Sequence, residues 1–199
     1  MPQIQFIDGL RFFELAKAGK AKGFGVRKGF VITDKKEYEG EARVIEFTIS
    51  TPSVDRQRDT INIEGWQLEN YKSNPVVLWA HDYQSVPVAR SLAIWIENGR
   101  LKSKCEFTPR DVNQFGYMVY QLYKGGYLNA TSVGFQPVNY SINEERMGID
   151  YLEQELLEYS CVPVPANPEA LVSAKGAGID LIPLKNWAEQ VLDNWKDEG

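Results

Sequence analysis

The chain has 199 residues and a mass of 22.6 kDa, with 43% hydrophobic and 25% charged residues. These proportions are typical of a globular protein and exclude a disordered chain, a collagen or a coiled coil as the main state. The net charge is −5; residues 1–30 carry six basic and two acidic side chains (net +4), so the remainder is net −9. This acidic body argues against broad nucleic-acid binding, and we predict that residues 1–30 form a solvated basic arm and linker.

The first predicted elements are a short helix, a linker and two strands. Residues 4–15 place apolar side chains three apart, which indicates a helix, and the glycine- and lysine-containing segment 18–25 is typical of a linker. Apolar and polar residues then alternate over 45–50, which predicts a half-buried strand. The nearly continuous apolar run 75–80 predicts a buried strand.

A hairpin and a helix follow. Alternating residues flank Asn98-Gly99, and this pair is the preferred sequence for a two-residue turn between antiparallel strands. Thr108 can cap a helix and Pro109 suits its first turn, so we predict that a helix begins there. The pair Gly125-Gly126 is expected to end it.

The last third of the chain returns to strand. Residues 128–140 predict a strand and 143–148 a turn, whereas 151–159 are compatible with strand or helix. An amphipathic helix is predicted within 181–199, from one face made of Trp187, Val191, Leu192 and Trp195. Strands predominate and are too closely spaced for regular βαβ units. The predicted fold is therefore mostly β with helices (α+β), a small antiparallel barrel or sandwich over residues 31–180 with helices on its outside.

The cysteines and the apolar runs bear on the compartment. Two cysteines, Cys105 and Cys161, are too few for a disulfide scaffold, which favours a reducing compartment. The first residues lack the continuous apolar core of a signal peptide, and no apolar stretch is long enough to span a membrane. We therefore expect no membrane association.

Two residues are candidates for acid–base and nucleophilic chemistry. His81, the only histidine, follows the predicted buried strand, where a rigid backbone could present its imidazole to a groove as a general base. Ser132 lies among small residues in Ala130-Thr-Ser-Val-Gly-Phe135, where Gly134 would let another backbone or a substrate approach closely. From pattern alone, a structural histidine and a hydrogen-bonded strand serine remain the alternatives.

An acid is needed to orient the histidine. If 151–159 is a strand, Glu158 and Ser160 share one face of it, so Glu158 could serve. The other candidate acids are Asp55, Asp59 and Asp82. The chain order histidine, serine, acid matches neither of the two best-known serine-protease orders. A cysteine nucleophile, Cys161, acting with the same histidine is a further alternative.

Four sequence blocks occur in an order that resembles a known family. They are Ser50-Thr-Pro-Ser-Val-Asp-Arg-Gln57, Asn74-Pro-Val-Val-Leu-Trp-Ala-His-Asp82, Ala130-Thr-Ser-Val-Gly-Phe135 and Leu156-Leu-Glu-Tyr-Ser-Cys-Val-Pro-Val-Pro-Ala-Asn-Pro168. Together they resemble the prohead (procapsid) maturation serine proteases of tailed phages, over roughly residues 40–172. Arg58 and Ala89 stand where the resemblance leads us to expect glycine.

The resemblance implies a fold and a set of site residues. It implies the fold of the herpesvirus assembly protease, a small β-barrel ringed by helices. It implies Ser132 as nucleophile and His81 as base. The herpesvirus enzymes use a second histidine as the third member; this chain has one histidine, and Glu158 is the best match. Arg90 is a candidate for stabilising the oxyanion.

The resemblance also implies a biological role. The chain would be a serine endopeptidase that cleaves extensions of scaffold or major capsid proteins, and itself, without a metal or cofactor. It would act inside the assembling procapsid in the host cytoplasm. A homo-oligomer is left open. The alternatives are a non-catalytic capsid-assembly or scaffolding module on the same fold, and a β-barrel that binds a small ligand or peptide.

Overall fold

The computed structural model describes residues 4–31, 35–37 and 43–163, and these residues form one eleven-stranded sheet with three α-helices. The strands are β1 (Gln5–Ile7), β2 (Phe24–Val31), β3 (Lys35–Glu37), β4 (Val44–Ser50), β5 (Thr60–Ile61), β6 (Trp66–Gln67), β7 (Val76–Trp79), β8 (Ala89–Glu97), β9 (Arg100–Phe107), β10 (Ala130–Asn143) and β11 (Gly148–Cys161). The helices are α1 (Gly9–Lys17), α2 (Glu69–Ser73) and α3 (Gln114–Lys124), with a 3-10 turn at Ile63–Gly65. None of these helices is both long and apolar enough to cross a membrane.

The sheet is mixed, and this corrects the predicted antiparallel barrel. Its strand order is β1-β2-β10-β11-β7-β8-β9-β4-β3, and β5 and β6 also pair with β11. β1 runs parallel to β2, and β5, β6 and β7 run parallel to β11. Within the described ranges no pairing joins β1 to β3, so the strand order is open rather than closed. Alternation predicts which face a side chain takes, but it carries no information on the direction of the neighbouring strand.

The mostly-β composition and the central hairpin are confirmed. β8 and β9 pair up to Glu97 and Arg100, and the turn residues Asn98 and Gly99 both have positive φ, 52° and 68°. Two consecutive residues in this conformation match the right-handed twist of the strands. The ambiguous residues 151–159 lie within β11, antiparallel to β10.

Helix α3 begins later than predicted. The side chain of Asn113 caps it by accepting hydrogen bonds from the amides of Phe115 and Gly116. Thr108 instead donates its hydroxyl to the carbonyl of Val88, which ties the end of β9 to the residue before β8. Gly125 is the C-cap, as the sequence predicts.

Residues 4–31 differ from the predicted arm and linker. They form β1, α1 and β2, and Phe12 of α1 is buried with its ring 5.1 Å from that of Tyr140. The alternation of apolar and polar residues did not predict β2, because a charged residue occupies a core position: Lys28 is buried between Val26 and Phe30. The predicted helix within 181–199 and the boundary at residue 180 lie outside the described residues.

The central strands present opposite faces to the core and to the outside. Val133 of β10, Tyr159 of β11 and Val77 of β7 are fully buried in the hydrophobic core. Because side chains alternate along a strand, Ser132 and Ser160, their sequence neighbours, lie on the opposite, outer face of the sheet. The candidate site is built on this outer face.

Candidate active site

Two neighbouring strands place Ser132 and Glu158. Ser132 of β10 pairs with Ser160 of β11, and Gly134 pairs with Glu158. These pairs are two residues apart on each strand, so all four positions face the same side of the sheet. The strand ladder therefore holds the serine and the carboxylate at a set separation.

His81 reaches this face from a reversal of the chain after β7. Ala80 and His81 both adopt left-handed backbone, with φ of 48° and 60°. The reversal is tied to β11, because the Ala80 amide donates to the Cys161 carbonyl and the His81 amide donates to the Ser160 hydroxyl. Non-glycine residues rarely adopt this conformation, and it persists only where the surroundings enforce it.

The imidazole joins the serine to the carboxylate. His81 Nε2 lies 2.7 Å from Ser132 Oγ, and His81 Nδ1 lies 2.6 Å from Glu158 Oε1. The Ser160 hydroxyl donates to Glu158 Oε2 at 2.8 Å. The Glu158 side chain is 1% exposed and that of His81 is 11% exposed. With its Nδ1 proton donated to the carboxylate, the ring directs the Nε2 lone pair at the serine hydroxyl, which is the arrangement of a general base.

Gly134 makes room for the carboxylate. A Cβ at this position would lie 2.1 Å from Glu158 Oε1, which no side chain can tolerate without displacing the carboxylate. The sequence predicts that Gly134 lets another backbone or a substrate approach closely. The structure gives the glycine a different use, the close approach of Glu158 across the strand pair.

The other candidate acids are engaged elsewhere. Asp82 accepts hydrogen bonds from the Gln84 amide and the Ser85 hydroxyl, and these bonds, foremost that of Ser85, lower the pKa of Asp82. Asp55 and Asp59 both bind Lys28, at 2.7 Å and 2.5 Å. Burial raises the pKa of Asp59 in spite of that lysine. Among the four acids, the structure brings Glu158 to the histidine.

Arg90 and Cys161 lie apart from the hydrogen-bonded residues. The Arg90 guanidinium is 69% exposed and donates from Nε and Nη2 to Glu106. Among the described residues, no hydrogen bond joins Arg90 to Ser132, so the role of Arg90 in stabilising an oxyanion stays a prediction. Cys161 faces the core, and its burial raises the pKa of the thiol to about 12. A thiol in that state is a poor nucleophile.

Sequence reasoning missed the surroundings of Glu158. Tyr83, two residues after His81, has its ring 5.7 Å from the guanidinium carbon of Arg27 of β2, and burial together with the nearby Glu158 carboxylate raises the pKa of its phenol. It also lines a cavity of about 390 Å³ beside Glu158, whose other walls include Tyr71, Leu78 and Leu157. The sequence pattern did not indicate that Tyr83 and Arg27 lie near the site. Arg27 in particular belongs to the segment that was predicted to be a solvated arm.

Comparisons with known proteins agree with the sequence resemblance. A family model described as caudovirus prohead serine protease matches residues 52–183. The prohead protease of Escherichia phage T5 is 28% identical over 141 residues, which cover 69% of this chain and 64% of that protein. The capsid polyprotein of Pseudomonas phage PAJU2 is 26% identical over 161 residues, which cover 74% of this chain and 22% of the polyprotein. The chain thus spans less than two thirds of the length of either relative.

A solved structure shares the fold. The capsid assembly protease of bacteriophage T4 matches with a TM-score of 0.53 over 71% of this chain and 98% of that chain, at 10% identity. At this identity the likeness concerns the fold alone. The predicted likeness to the herpesvirus assembly protease is not tested by these comparisons and stays a prediction.

Proposed function

The chain belongs to the caudovirus prohead serine protease family, and from this premise we propose that it is a serine endopeptidase of prohead maturation. The observation that carries the proposal is the continuous hydrogen-bonded series from Ser132 through His81 to Glu158. A serine alone is a weak nucleophile, and a base oriented by a third group is what activates it. Because the Glu158 carboxylate accepts the Nδ1 proton of His81, Nε2 carries a lone pair that can take the serine proton.

The reaction would proceed by acyl transfer. Ser132 Oγ attacks the scissile carbonyl carbon while its proton passes to His81 Nε2, and the Glu158 carboxylate stabilises the resulting imidazolium. The tetrahedral intermediate then collapses, the peptide C–N bond breaks, and Nε2 returns the proton to the leaving amine. Water repeats the attack on the serine ester, with His81 again taking and returning one proton, which releases the acid product and free Ser132.

The proposed substrates are extensions of scaffold or capsid proteins. The support is the family and the PAJU2 relative, which is named as a capsid polyprotein. Cleavage would then take place inside the assembling procapsid, in the host cytoplasm. We further propose self-cleavage, with the exposed turn between α1 and β2, which contains Lys20 and Lys22, as a candidate position.

The experiment is co-expression with the capsid protein of the same phage, followed by mass spectrometry of the products. Ser132→Ala deletes one oxygen and should lower cleavage by about a thousandfold or more while leaving the circular dichroism spectrum unchanged. Ser141→Ala, an exposed serine on the same strand, is the matched control and should cleave like the wild type.

His81→Ala should be about as damaging as Ser132→Ala, and the double variant no worse than either, because the two residues act as a unit. Cleavage by Ser132→Ala within about tenfold of the wild type would exclude this serine as the nucleophile. Absence of cleavage by the wild-type chain, with capsid assembly still dependent on it, would instead favour a non-catalytic assembly module.

A further inference from the structure

Three side chains stack beside the candidate site. The Arg27 guanidinium carbon lies 4.6 Å from the centre of the Phe6 ring and 5.7 Å from that of Tyr83. The two rings are themselves stacked, with centroids 5.9 Å apart and planes inclined by 28°. Cation–π contacts of this kind orient a guanidinium over an aromatic face. We refer to these residues as the Phe6–Arg27–Tyr83 stack.

The strand register places this stack next to Glu158. On β10, Gly134 pairs with Arg27 on one side and with Glu158 on the other, so the three positions form one row across the outer face. Tyr83 lies beside both ends of this row, because its ring is 5.7 Å from the Arg27 guanidinium carbon and it lines the same cavity as Glu158. Partial burial and the neighbouring Glu158 carboxylate raise the pKa of Tyr83, so its phenol stays protonated at neutral pH.

The N-terminal strands are shaped to receive the stack. Phe6 of β1 pairs with Gly25 of β2, and a Cβ on Gly25 would lie 2.8 Å from the Phe6 ring. Arg27 Nε is buried and makes no hydrogen bond to any described residue. The guanidinium is in contact with the two aromatic rings, and Nε contributes no hydrogen bond to its placement.

Tyr83 connects this stack to His81. The residues between β7 and β8 form neither helix nor strand, and their beginning is held by the amides of Ala80 and His81. Tyr83 lies two residues beyond His81 and gives the segment a second attachment, to β1 and β2. The left-handed backbone of His81 is unfavourable by itself, so an attachment on each side of the residue helps to maintain it.

We propose that Phe6 and Arg27 position His81 for catalysis through Tyr83, so that the N-terminal strands are part of the active site. This inference rests on the proposed function, because it concerns the same histidine. The two N-terminal residues precede residue 52, where the family match begins. Arg27 and Tyr83 are positioning residues here, and neither is assigned a contact with the reacting atoms.

The test compares four variants of the full chain by kinetics and NMR. Tyr83→Leu removes the ring, Tyr83→Phe keeps it, Arg27→Met removes the cation, and Arg11→Met is a control. The control removes one cation from the same N-terminal segment, at an exposed position paired only with Glu14 among the described ion pairs. Since the chain has one histidine, the Nδ1 proton signal in a ¹⁵N-histidine-labelled sample reports His81 alone.

NMR is recorded in the Ser132→Ala background, which prevents self-cleavage and keeps the Nδ1 contact with Glu158. We expect a slowly exchanging Nδ1 proton in this background and in Arg11→Met, and its broadening or loss in Tyr83→Leu and Arg27→Met. With Ser132 restored, Tyr83→Leu and Arg27→Met should lower kcat by about tenfold or more with KM within about twofold. Tyr83→Phe should restore most of kcat and the NMR signal.

Other outcomes overturn the proposal. A rise in KM with unchanged kcat and an unchanged Nδ1 proton would mean that Tyr83 contacts substrate. A fall in kcat with an unchanged Nδ1 proton, or no change in any variant, would also reject positioning. If Arg27→Met fails to fold, the comparison of Tyr83→Leu with Tyr83→Phe tests the proposal, since Tyr83 is 53% exposed and its replacement should leave the fold intact. The NMR result needs no protease activity, so failure of this inference is distinguishable from failure of the proposed function.

Discussion

At the scale of single residues, both oxygens of Glu158 are used. One accepts from His81 and the other from the Ser160 hydroxyl, and the side chain is nearly inaccessible to water. Burying a carboxylate lowers the stability of the fold unless hydrogen-bond donors satisfy its oxygens. Hydrogen bonds to a charged group are stronger than those between neutral groups. Ser160 also accepts from the His81 amide, so one hydroxyl contacts both the acid and the backbone of the base.

This arrangement predicts different effects of replacing two acids. Glu158→Gln should lower kcat/KM by about a thousandfold, because an amide can present its NH₂ to Nδ1 and favour the wrong imidazole tautomer. Asp82→Asn should lower kcat/KM by less than about threefold. The Asp82 side chain accepts hydrogen bonds only within its own exposed turn, so the substitution weakens a surface interaction away from His81. Both are measured on purified variants whose circular dichroism spectra match the wild type.

Two results would require a different assignment. If Asp82→Asn abolishes cleavage and Glu158→Gln does not, Asp82 holds the third role. If both substitutions are mild, Ser132 and His81 work as a dyad.

At the scale of elements, the β10–β11 pair sets the spacing of the site. The register places Gly134 opposite Glu158 and Ser132 opposite Ser160, while the register shift after Gly134 inserts Leu157 of β11, so that Leu156 faces the core opposite the buried Phe135. A change of one residue in this register would turn Ser132 and Glu158 to opposite faces. Gly134 is also needed for this geometry, because a side chain there would displace the Glu158 carboxylate.

Gly134→Ala should impair the site more than the fold. The added Cβ would meet Glu158 Oε1 at 2.1 Å, so the carboxylate must move away from His81. We expect the rate of Ser132 labelling by a fluorophosphonate probe to fall by about tenfold or more, with the free energy of unfolding lowered by about 1–3 kcal/mol. Val138→Ala, an exposed change on the same strand, is the control. Equal labelling rates for all three proteins would show that Glu158 does not need this position.

At the scale of the whole molecule, the sheet separates chemistry from core. Ser132, Glu158 and Ser160 lie on the outer face, whereas Val133, Tyr159 and Cys161 lie in the core. Cys161 is thus next to Ser160 in sequence but on the other side of the sheet. Because Cys161 lies in the core, its reactivity can be used to test whether it, rather than Ser132, is the nucleophile.

Both cysteines should resist alkylation in the folded protein. Burial raises the pKa of Cys161 to about 12 and that of Cys105 well above its ordinary value. A raised thiol pKa keeps the reactive thiolate scarce at pH 8, and burial also excludes the reagent. Iodoacetamide at pH 8 should leave both thiols unmodified by mass spectrometry and cleavage unchanged, and should modify both after unfolding. Modification of Cys161 in the folded state with parallel loss of cleavage would favour a thiol nucleophile.

Local patterns predicted some elements and not others. The hairpin around Asn98-Gly99 was predictable because its turn conformation is favoured by those two residues alone. Residues 151–159 were ambiguous, since their leucine and glutamate content favours helix, and the long ladder with β10 overrides that preference. Strand β2 was missed because a buried Lys28, paired with Asp55 and Asp59, occupies a core position.

The sequence by itself determined the mostly-β composition, the central hairpin, the family resemblance, and the choice of Ser132 and His81 as candidates. The composition and the hairpin depend on residue chemistry and on neighbours within a few positions, and the resemblance depends on the order of four short blocks along the chain. The sequence left four acids open and the resemblance favoured Glu158, but only the tertiary structure shows Glu158 in contact with the histidine. It also shows that Arg90 donates to Glu106 and that residues 4–31 adjoin the site. His81 and Glu158 are 77 residues apart, and they meet because β7 runs parallel to β11 and the chain then reverses at Ala80 and His81. Such contacts depend on strand pairing between distant segments, which alternation within each strand does not encode.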